Sequence, residues 1–402
     1  MDYSFDFSKW KRCTILDLLS QPITDGPHET PKLVENGIPF LSVEAIHDGI
    51  VDVSKKRGYI TPEYDAQCCK KYKPQKDDIY VVKSASVGRV AMVGDDTNFN
   101  IWSPIAALRV NTENDPRFVF HLLQSSWIQS EMLKRSSVGS QPNLSMRVLE
   151  SFEVIVPPLE EQKIIASILD AFTALTAELT AELTARKKQY EFYRDKLLSF
   201  DNLTPEERER LGVRWMRIKD VFTRVRGTPI TANQMKSIQS PDGDILIIAG
   251  GKTSVFAFEK DIPNANITRV PAVLIQSRGI IDAVYLDQPF TFKNEMWAYT
   301  TTDTSLVRYL YHYLKNNIQK LRDIGSAMGS MPQISIPITD ELLIPVIKPE
   351  FMSHIVKILD KFEELCNSIS AGLPAEISAR QKQYEYYRDK LLSFTPEHEL
   401  IV

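Results

Sequence analysis

Several stretches of the 402-residue chain carry residue types that do chemistry, and each lacks one member of its set. GGKT at 250–253 ends like a phosphate-binding loop, in which backbone amides cradle phosphates and a lysine reaches the terminal ones. The opening glycine of such a loop would fall at position 246, which is Leu246. Pro241, Asp242 and Lys252 are spaced like part of a nuclease carboxylate set, yet Gly250 and Gly251 stand where the second metal-binding acid belongs. Pro157 and Pro158 are followed by Leu159, so the pair introduces a helix and does not form the Asn/Asp-Pro-Pro-aromatic loop of an amino-methyltransferase. No glycine-rich SAM loop is present. The six histidines form no HxxH or HExxH pair, and Cys13, Cys68, Cys69 and Cys366 show no CxxC spacing. The chain is expected to have no catalytic residue, metal or cofactor of its own and to keep its thiols reduced.

Binding chemistry is better represented. GSQPNLS at 139–145 offers Ser140, Gln141 and Asn143, and side-chain amides can pair in two places with an adenine edge; a turn capped by Ser and Asn fits the same residues. Lys55, Lys56 and Arg57 form one basic run, and Lys70, Lys71 and Lys73 another. Lys83, Ser84 and Arg89 flank a turn at Gly88, as Lys252 and Thr253 do later in the chain. Arg224, Arg226, Arg269, Arg278 and Lys293 complete a set suited to phosphates or, for arginine, to guanine. The competing reading of each run is a solvated face. Tyr190, Tyr193, Arg194, Tyr384, Tyr387 and Arg388 are types favoured at protein interfaces, and they serve equally to pack helix ends onto neighbouring domains.

Charge does not choose a partner. The net charge is -4, and only residues 202–347 are net basic, by two. That excludes a tail coating nucleic acid by charge alone and leaves room for a locally basic cleft. The start of the chain lacks the basic, apolar, small-residue order of a signal peptide, and no apolar run reaches the length of a membrane span. The expected location is cytoplasmic, without a membrane partner.

What must position these residues is set by a repeat. ARKKQYEFYRDKLLSF at 185–200 returns as ARQKQYEYYRDKLLSF at 379–394, identical at 14 of 16 positions. Ile168, Leu169, Asp170, Phe172 and Leu175 recur 190 residues on as Ile358, Leu359, Asp360, Phe362 and Leu365, and GSQPNLS recurs at the same offset as GSMPQIS at 329–335. The chain is a tandem duplication, divided as 1–157, 158–201, 202–347 and 348–402, with Trp10 and Trp215 near the start of each half. DDIYVVKS, GRVAMVG, DILIIAG and AVLIQS read as strands; FVFHLLQSSWIQSEMLK and SLVRYLYHYLKNNIQKLRD read as helices. Residues 160–199 contain no Gly or Pro and repeat apolar positions every three or four residues, which predicts a helix roughly 60 Å long. The expected fold is α+β: two mixed α/β domains separated by two long helices packed as an antiparallel coiled coil, with an approximate two-fold. Gly372 and Pro374 in AGLPAE should interrupt the second helix.

DGPHETP at 25–31, GIPFLSVEAI at 37–46, GSQPNLS, PPLEEQKIIASILDAF at 157–172 and both RDKLLSF endings resemble the specificity subunit of a type I restriction-modification system. TAELTAEL at 176–183 resembles the type IC branch. The resemblance covers essentially the whole chain and implies two target-recognition domains, each reading half of an asymmetric bipartite site in double-stranded DNA. It further implies helical spacers that bind two methyltransferase subunits, with restriction subunits joining them. SAM, ATP and Mg, and the adenine methylation and cleavage they serve, would belong to those partners. Two features depart from the pattern: the second half has no evident DGPHETP, and PVIKPE at 345–350 replaces VPPLEE. The rival classes are an enzyme in its own right and a coiled-coil adaptor that binds only proteins.

Leu175, Leu179 and Leu183 recur every four residues, so each TAEL unit adds about 6 Å of helix. If the helix is a ruler, a third TAEL inserted after Leu183 lengthens the unread spacer by on the order of one or two base pairs, at about 3.4 Å each, and leaves both half-sites unchanged. Mapping the methylated site decides, and an unchanged spacer in a complex that still assembles makes TAEL simple helical filler.

Overall fold

The computed structural model describes residues 5–137, 142–251, 253–327, 331–368 and 372–392. The first half runs β1 (Lys11–Thr14), β2 (Thr24–Asp25), β3 (Ile38–Leu41), β4 (Ile46–His47), β5 (Gly49–Val51), β6 (Gly58–Ile60), α1 (Pro62–Cys69), β7 (Ile79–Val82), β8 (Val90–Met92), β9 (Asn100–Ile101) and β10 (Ile105–Leu108). It continues through α2 (Pro116–Gln124), α3 (Ser126–Lys134), α4 (Met146–Glu150), β11 (Glu153–Val156) and the long α5 (Leu159–Leu197). The second half runs α6 (Pro205–Leu211), β12 (Arg214–Arg217), α7 (Ile218–Val221), β13 (Thr223–Arg226), α8 (Ala232–Ile238), β14 (Ile245–Ile248), β15 (Ser254–Ala257), β16 (Ala272–Gln276), β17 (Asp282–Leu286), β18 (Phe290–Phe292) and β19 (Trp297–Thr300). It ends with α9 (Thr304–Asn316), α10 (Ile318–Ser326), α11 (Ile336–Asp340), β20 (Leu343–Val346), α12 (Pro349–Asn367) and α13 (Leu373–Leu392).

Two compact units divide the chain: Met1–Leu179 with Glu376–Val402, and Thr180–Ala375. Each unit therefore owns part of α5. In the first unit, α5 up to Leu179 meets α13, where Phe172 stacks on Tyr387 with centroids 5.4 Å apart. In the second, the later part of α5 meets α12, where Tyr190 and Tyr193 lie 6.1 and 5.8 Å from Phe362. The second spacer is thus two helices, α12 and α13, with Pro374 in the first turn of α13, where a missing amide hydrogen costs nothing.

The same sheets appear in both units. Strand order β2-β10-β7-β8 in the first corresponds to β13-β19-β16-β17 in the second, β6-β3-β9 to β15-β14-β18, and β1-β11 to β12-β20; the first unit extends its main sheet with β5 and β4. β7 is buried along its whole length, as its continuous Ile-Tyr-Val-Val run requires. Asp115 and Asp303 cap α2 and α9, each accepting two backbone amides of the first turn. Trp10 and Trp215 prove not to be register equivalents: Lys11 opposes Val156 and Arg214 opposes Val346, so Trp215 sits two positions further into its strand.

The second half does have a counterpart of DGPHETP, which sequence comparison missed. Gly26 lies so close to the Ile101 carbonyl that a Cβ would fall 1.8 Å from its oxygen, and Gly227 meets the Phe292 carbonyl at 2.1 Å in the same way. RGTPIT at 226–231 occupies the place of DGPHETP, and glycine is the one residue the two segments must share there. A second difference concerns α5, which contains an 18-residue window apolar enough to cross a membrane by length and composition. Its Asp170, however, is bonded to two residues of α2, which is the packing of a helix on a protein domain.

That bonding is the strongest internal correspondence between the halves. Asp170 accepts from Arg117 Nε at 2.5 Å and lies 3.0 Å from His121 Nε2. Asp360 accepts from Arg308 Nε at 2.7 Å and lies 2.6 Å from His312 Nε2. Both histidines are fully buried. Around the first cluster pack Phe118, Leu122, Ile165, Leu169 and Tyr384; the layer beside the second holds Tyr309, Ile355 and Leu359.

Burial works against the charged form of Asp170, but the His121 hydrogen bond, then the His121 and Arg117 charges, outweigh it and hold the carboxyl below its ordinary range. A carboxyl lowered by folding contributes stability above its unfolded pKa and loses it as pH falls through the folded value. Asp170→Asn is expected to cost about 1–3 kcal/mol at pH 7. The gap to the unaltered protein should close below about pH 4, as read from urea midpoints across a pH series.

Candidate nucleic-acid interface

In the first unit the basic run 55–57 is shaped by a 3-10 turn, Val53–Lys55, whose cap Asp52 accepts from the Ser54 amide at 3.0 Å. The Arg57 amide bonds the Phe40 carbonyl at 2.9 Å, fixing the run to β3 where β6 begins to pair with it. The Arg57 guanidinium lies 4.0 Å over the Trp102 ring, and Lys56 Nζ lies 4.9 Å over Tyr59. Lys55 and Arg57 are exposed and Lys56 half-buried, and among the described residues none of the three meets a carboxylate. Aromatic stacking holds these side chains in place without neutralising them.

The second cluster behaves differently. Asp25 is buried, and Lys71 Nζ bonds its Oδ1. Its Oδ2 lies 3.2 Å from Lys83 Nζ and 3.3 Å from His28 Nε2, with no aligned hydrogen bond among the described residues. Lys71 and Lys83 therefore cover the buried Asp25, and of the candidates in this region Lys70, Lys73 and Arg89 remain exposed without an ion pair among the described residues. Behind them Asp78 accepts both Arg109 Nε at 2.8 Å and Tyr72 Oη at 2.7 Å, which ties the segment after α1 to β7 and β10.

In the second unit Arg224 pairs with Asp340 at 2.5 Å, Arg269 with Glu259 at 2.5 Å and Lys293 with Glu295 at 2.7 Å. Arg226 and Thr253 are exposed, and Arg278 is exposed with its Nε 3.3 Å from Gln333 Oε1. Ser84 and Asn143 form an isolated antiparallel bridge in the first unit, as Arg278 and Gln333 do in the second. Gln333 was not singled out from sequence, although its alignment with Asn143 at the 190-residue offset was the available signal. Ser140, Gln141 and Lys252 lie outside the described residues.

The six interface candidates divide by exposure. Tyr384 and Arg388 are buried: Tyr384 Oη lies 3.0 Å from His121 Nδ1, and Arg388 Nη2 donates to Ser126 Oγ at 3.1 Å. Burial pushes the Tyr384 hydroxyl up to about 12. Tyr190 is half-buried against Phe362, and Arg194 bonds Asn316 at 2.8 Å. These four pack helices onto their own domain, which leaves Tyr193 and Tyr387, both partly exposed, as the surface members of the set.

His312, Asp360 and Glu363 come close enough together to hold a metal ion. Arg308 already bridges the two carboxylates, at 2.7 Å to Asp360 and 2.8 Å to Glu363, so a cation is built into the cluster. The two His–Asp–Arg clusters were missed in the sequence, because their members lie about fifty residues apart.

This fold is shared with solved structures. A specificity subunit from M. genitalium superposes with a TM-score of 0.61 over 96% of both chains at 18% identity. A chain from a study of type I system assembly and conformational transition superposes with a TM-score of 0.59 over 97% and 98% at 16% identity. The family model for the type I restriction modification DNA specificity domain matches twice, at residues 23–186 and 212–379, and the chain belongs to that family. The EcoR124I/EcoR124II specificity subunit of Escherichia coli is 37% identical over 256 residues, which span 60% of this chain and 61% of that protein. A putative type I specificity subunit of Haemophilus influenzae is 30% identical over 303 residues, 69% of this chain and 72% of that one.

Cations without a carboxylate partner should dominate any phosphate contact. Replacing Lys55, Lys56 and Arg57 together with alanine is expected to flatten the dependence of log affinity on log salt by up to about three units. Lys83→Ala should leave that slope unchanged and instead destabilise the fold by roughly 1–3 kcal/mol through the uncovered Asp25. A salt titration of DNA binding and a urea melt distinguish the two.

Proposed function

We propose that this chain is the DNA-specificity subunit of a type I restriction-modification complex, whose two domains each read one half of an asymmetric bipartite site. The observation that carries the reading is a duplicated scaffold, alike in sheet order and helix anchoring, whose exposed polar side chains differ between the copies. Two like scaffolds with unlike surfaces suit the recognition of two unlike half-sites. Membership of the specificity-domain family, with one match in each half, supports the same reading.

In this function the chain performs no bond chemistry. Two methyltransferase subunits would bring SAM and methylate adenine, and restriction subunits would bring ATP and Mg for cleavage. The partly exposed Tyr193 and Tyr387 are among the aromatic contacts this chain would offer such partners. The complex would act in the cytoplasm, on double-stranded DNA. A protein-only adaptor has no use for two domains with different polar loops, and a self-sufficient enzyme would need the incomplete motifs at 241–253 to be complete.

Exchange of residues 1–157 for the matching domain of a relative, in a chain coexpressed with its partner subunits, is the test. One half of the methylated site should change and the other should persist, as read by methylome sequencing. A swap that alters both halves, or neither in an active complex, contradicts the modular reading.

A further inference from the structure

The duplication contains its own control. Where both copies do the same job, their residues are the same: Arg117, His121 and Asp170 in the first unit recur as Arg308, His312 and Asp360 in the second. The loop that follows β7 or β16 and the segment that precedes α4 or α11 are equally alike in backbone. The Leu144 amide bonds the Lys83 carbonyl at 2.7 Å, and the Ile334 amide bonds the Ser277 carbonyl at 2.9 Å. Ala85 N–H donates to the Pro142 carbonyl at 3.2 Å, and Gly279 N–H to the Pro332 carbonyl at 2.9 Å. Ala85 and Gly279 share the left-handed conformation, with φ of 67° and 69°. Leu144 and Ile334 anchor the device in the core, at 1% and 6% exposure.

On this common frame the opposed residues differ. The first unit presents Ser84 opposite Asn143, the second Arg278 opposite Gln333. Opposed residues of an antiparallel bridge lie side by side on one face, about 4.5–5.5 Å apart at Cβ, so each pair forms one small polar surface. In the second unit the Arg278 Nε is bonded to Gln333 Oε1, which leaves both terminal guanidinium nitrogens unengaged by any carboxylate among the described residues.

We propose that this bridge pair is the base-reading position of each domain. Arg278, oriented by Gln333, takes the two acceptors of a guanine edge, and Asn143, beside Ser84, takes the donor and acceptor of an adenine edge. Gln333 acts here as a positioning residue. The assignment rests on the function proposed above, and the experiment separates the two.

The complete complex carries either Arg278→Ser with Gln333→Asn, or Ser84→Arg with Asn143→Gln, and methylation is mapped at every position of the site. The first variant should alter base preference by on the order of ten- to a hundred-fold at one position of one half-site, and the second at one position of the other. Assembled variants that keep the parental preference at all positions overturn the assignment. A binding measurement covers variants that no longer methylate, using duplexes with 7-deazaguanine placed at one guanine at a time. The unaltered complex should lose affinity about tenfold at one guanine of the half-site read by the second domain. The Arg278→Ala complex should lose nothing further there, and Gln333→Ala should weaken binding while keeping the sensitivity. Equal sensitivity of the unaltered and Arg278→Ala complexes at every guanine overturns the assignment. An unaltered complex that has no bipartite site refutes the proposed function itself.

Discussion

A carboxylate removed from water must find donors, and in this protein that requirement joins helix to sheet. Asp170 and Asp360 each lie partly buried on a spacer helix, and each is met by an arginine and a fully buried histidine from the helix that covers the main sheet. Leaving either acid uncompensated would cost more than an ordinary surface pair can supply, since exposed ion pairs contribute little. The clamp therefore fixes α2 to α5 in one unit and α9 to α12 in the other. Because α2 and α9 pack on the sheets that carry the polar loops, the loops inherit their position from the clamp. The clusters are not identical in every bond. His121 Nδ1 meets the Tyr384 hydroxyl, whereas His312 Nδ1 is buried without a hydrogen-bond partner among the described residues.

Much of this architecture was legible because it is written twice. The shared RDKLLSF endings and the 190-residue offset identify the helices, Asp170 and Asp360 before any geometry is known. Gly372 and Pro374 foretold the break between α12 and α13 because their backbone constraints are local. The clamps were not legible, since His121 and Asp170 are 49 residues apart and acquire meaning only when α2 lies against α5. The RGTPIT counterpart of DGPHETP was hidden for another reason: the fold demands only that a glycine face a carbonyl, and one shared residue is no alignment. A run of lysines is likewise silent about its partners. Lys83 and Arg57 look alike in sequence, yet one sits on a buried aspartate and the other on an indole ring.

That distinction has an electrostatic meaning. A cation already paired with a neighbouring carboxylate adds little to the potential a phosphate feels at a distance, while one held by an aromatic ring adds its full charge. The chain carries 48 basic side chains, but several candidates, among them Lys71, Lys83, Arg224, Arg269 and Lys293, are spent within the fold. The attraction left over is modest and local. A protein charged in this way depends more on discriminating contacts than on a general affinity for polyanions.

The repeated helical ending also bears on inheritance. Tyr193 stacks on Phe362 in one unit as Tyr387 stacks on Phe172 in the other, and Arg194 and Arg388 each bond a residue at the C-terminal end of the covering helix or just beyond it. A crossover between genes anywhere within the sixteen-residue segment would join halves through side chains already fitted to either neighbour. New pairings of half-site readers could arise in one recombination event, with no interval in which the hybrid must first evolve a core.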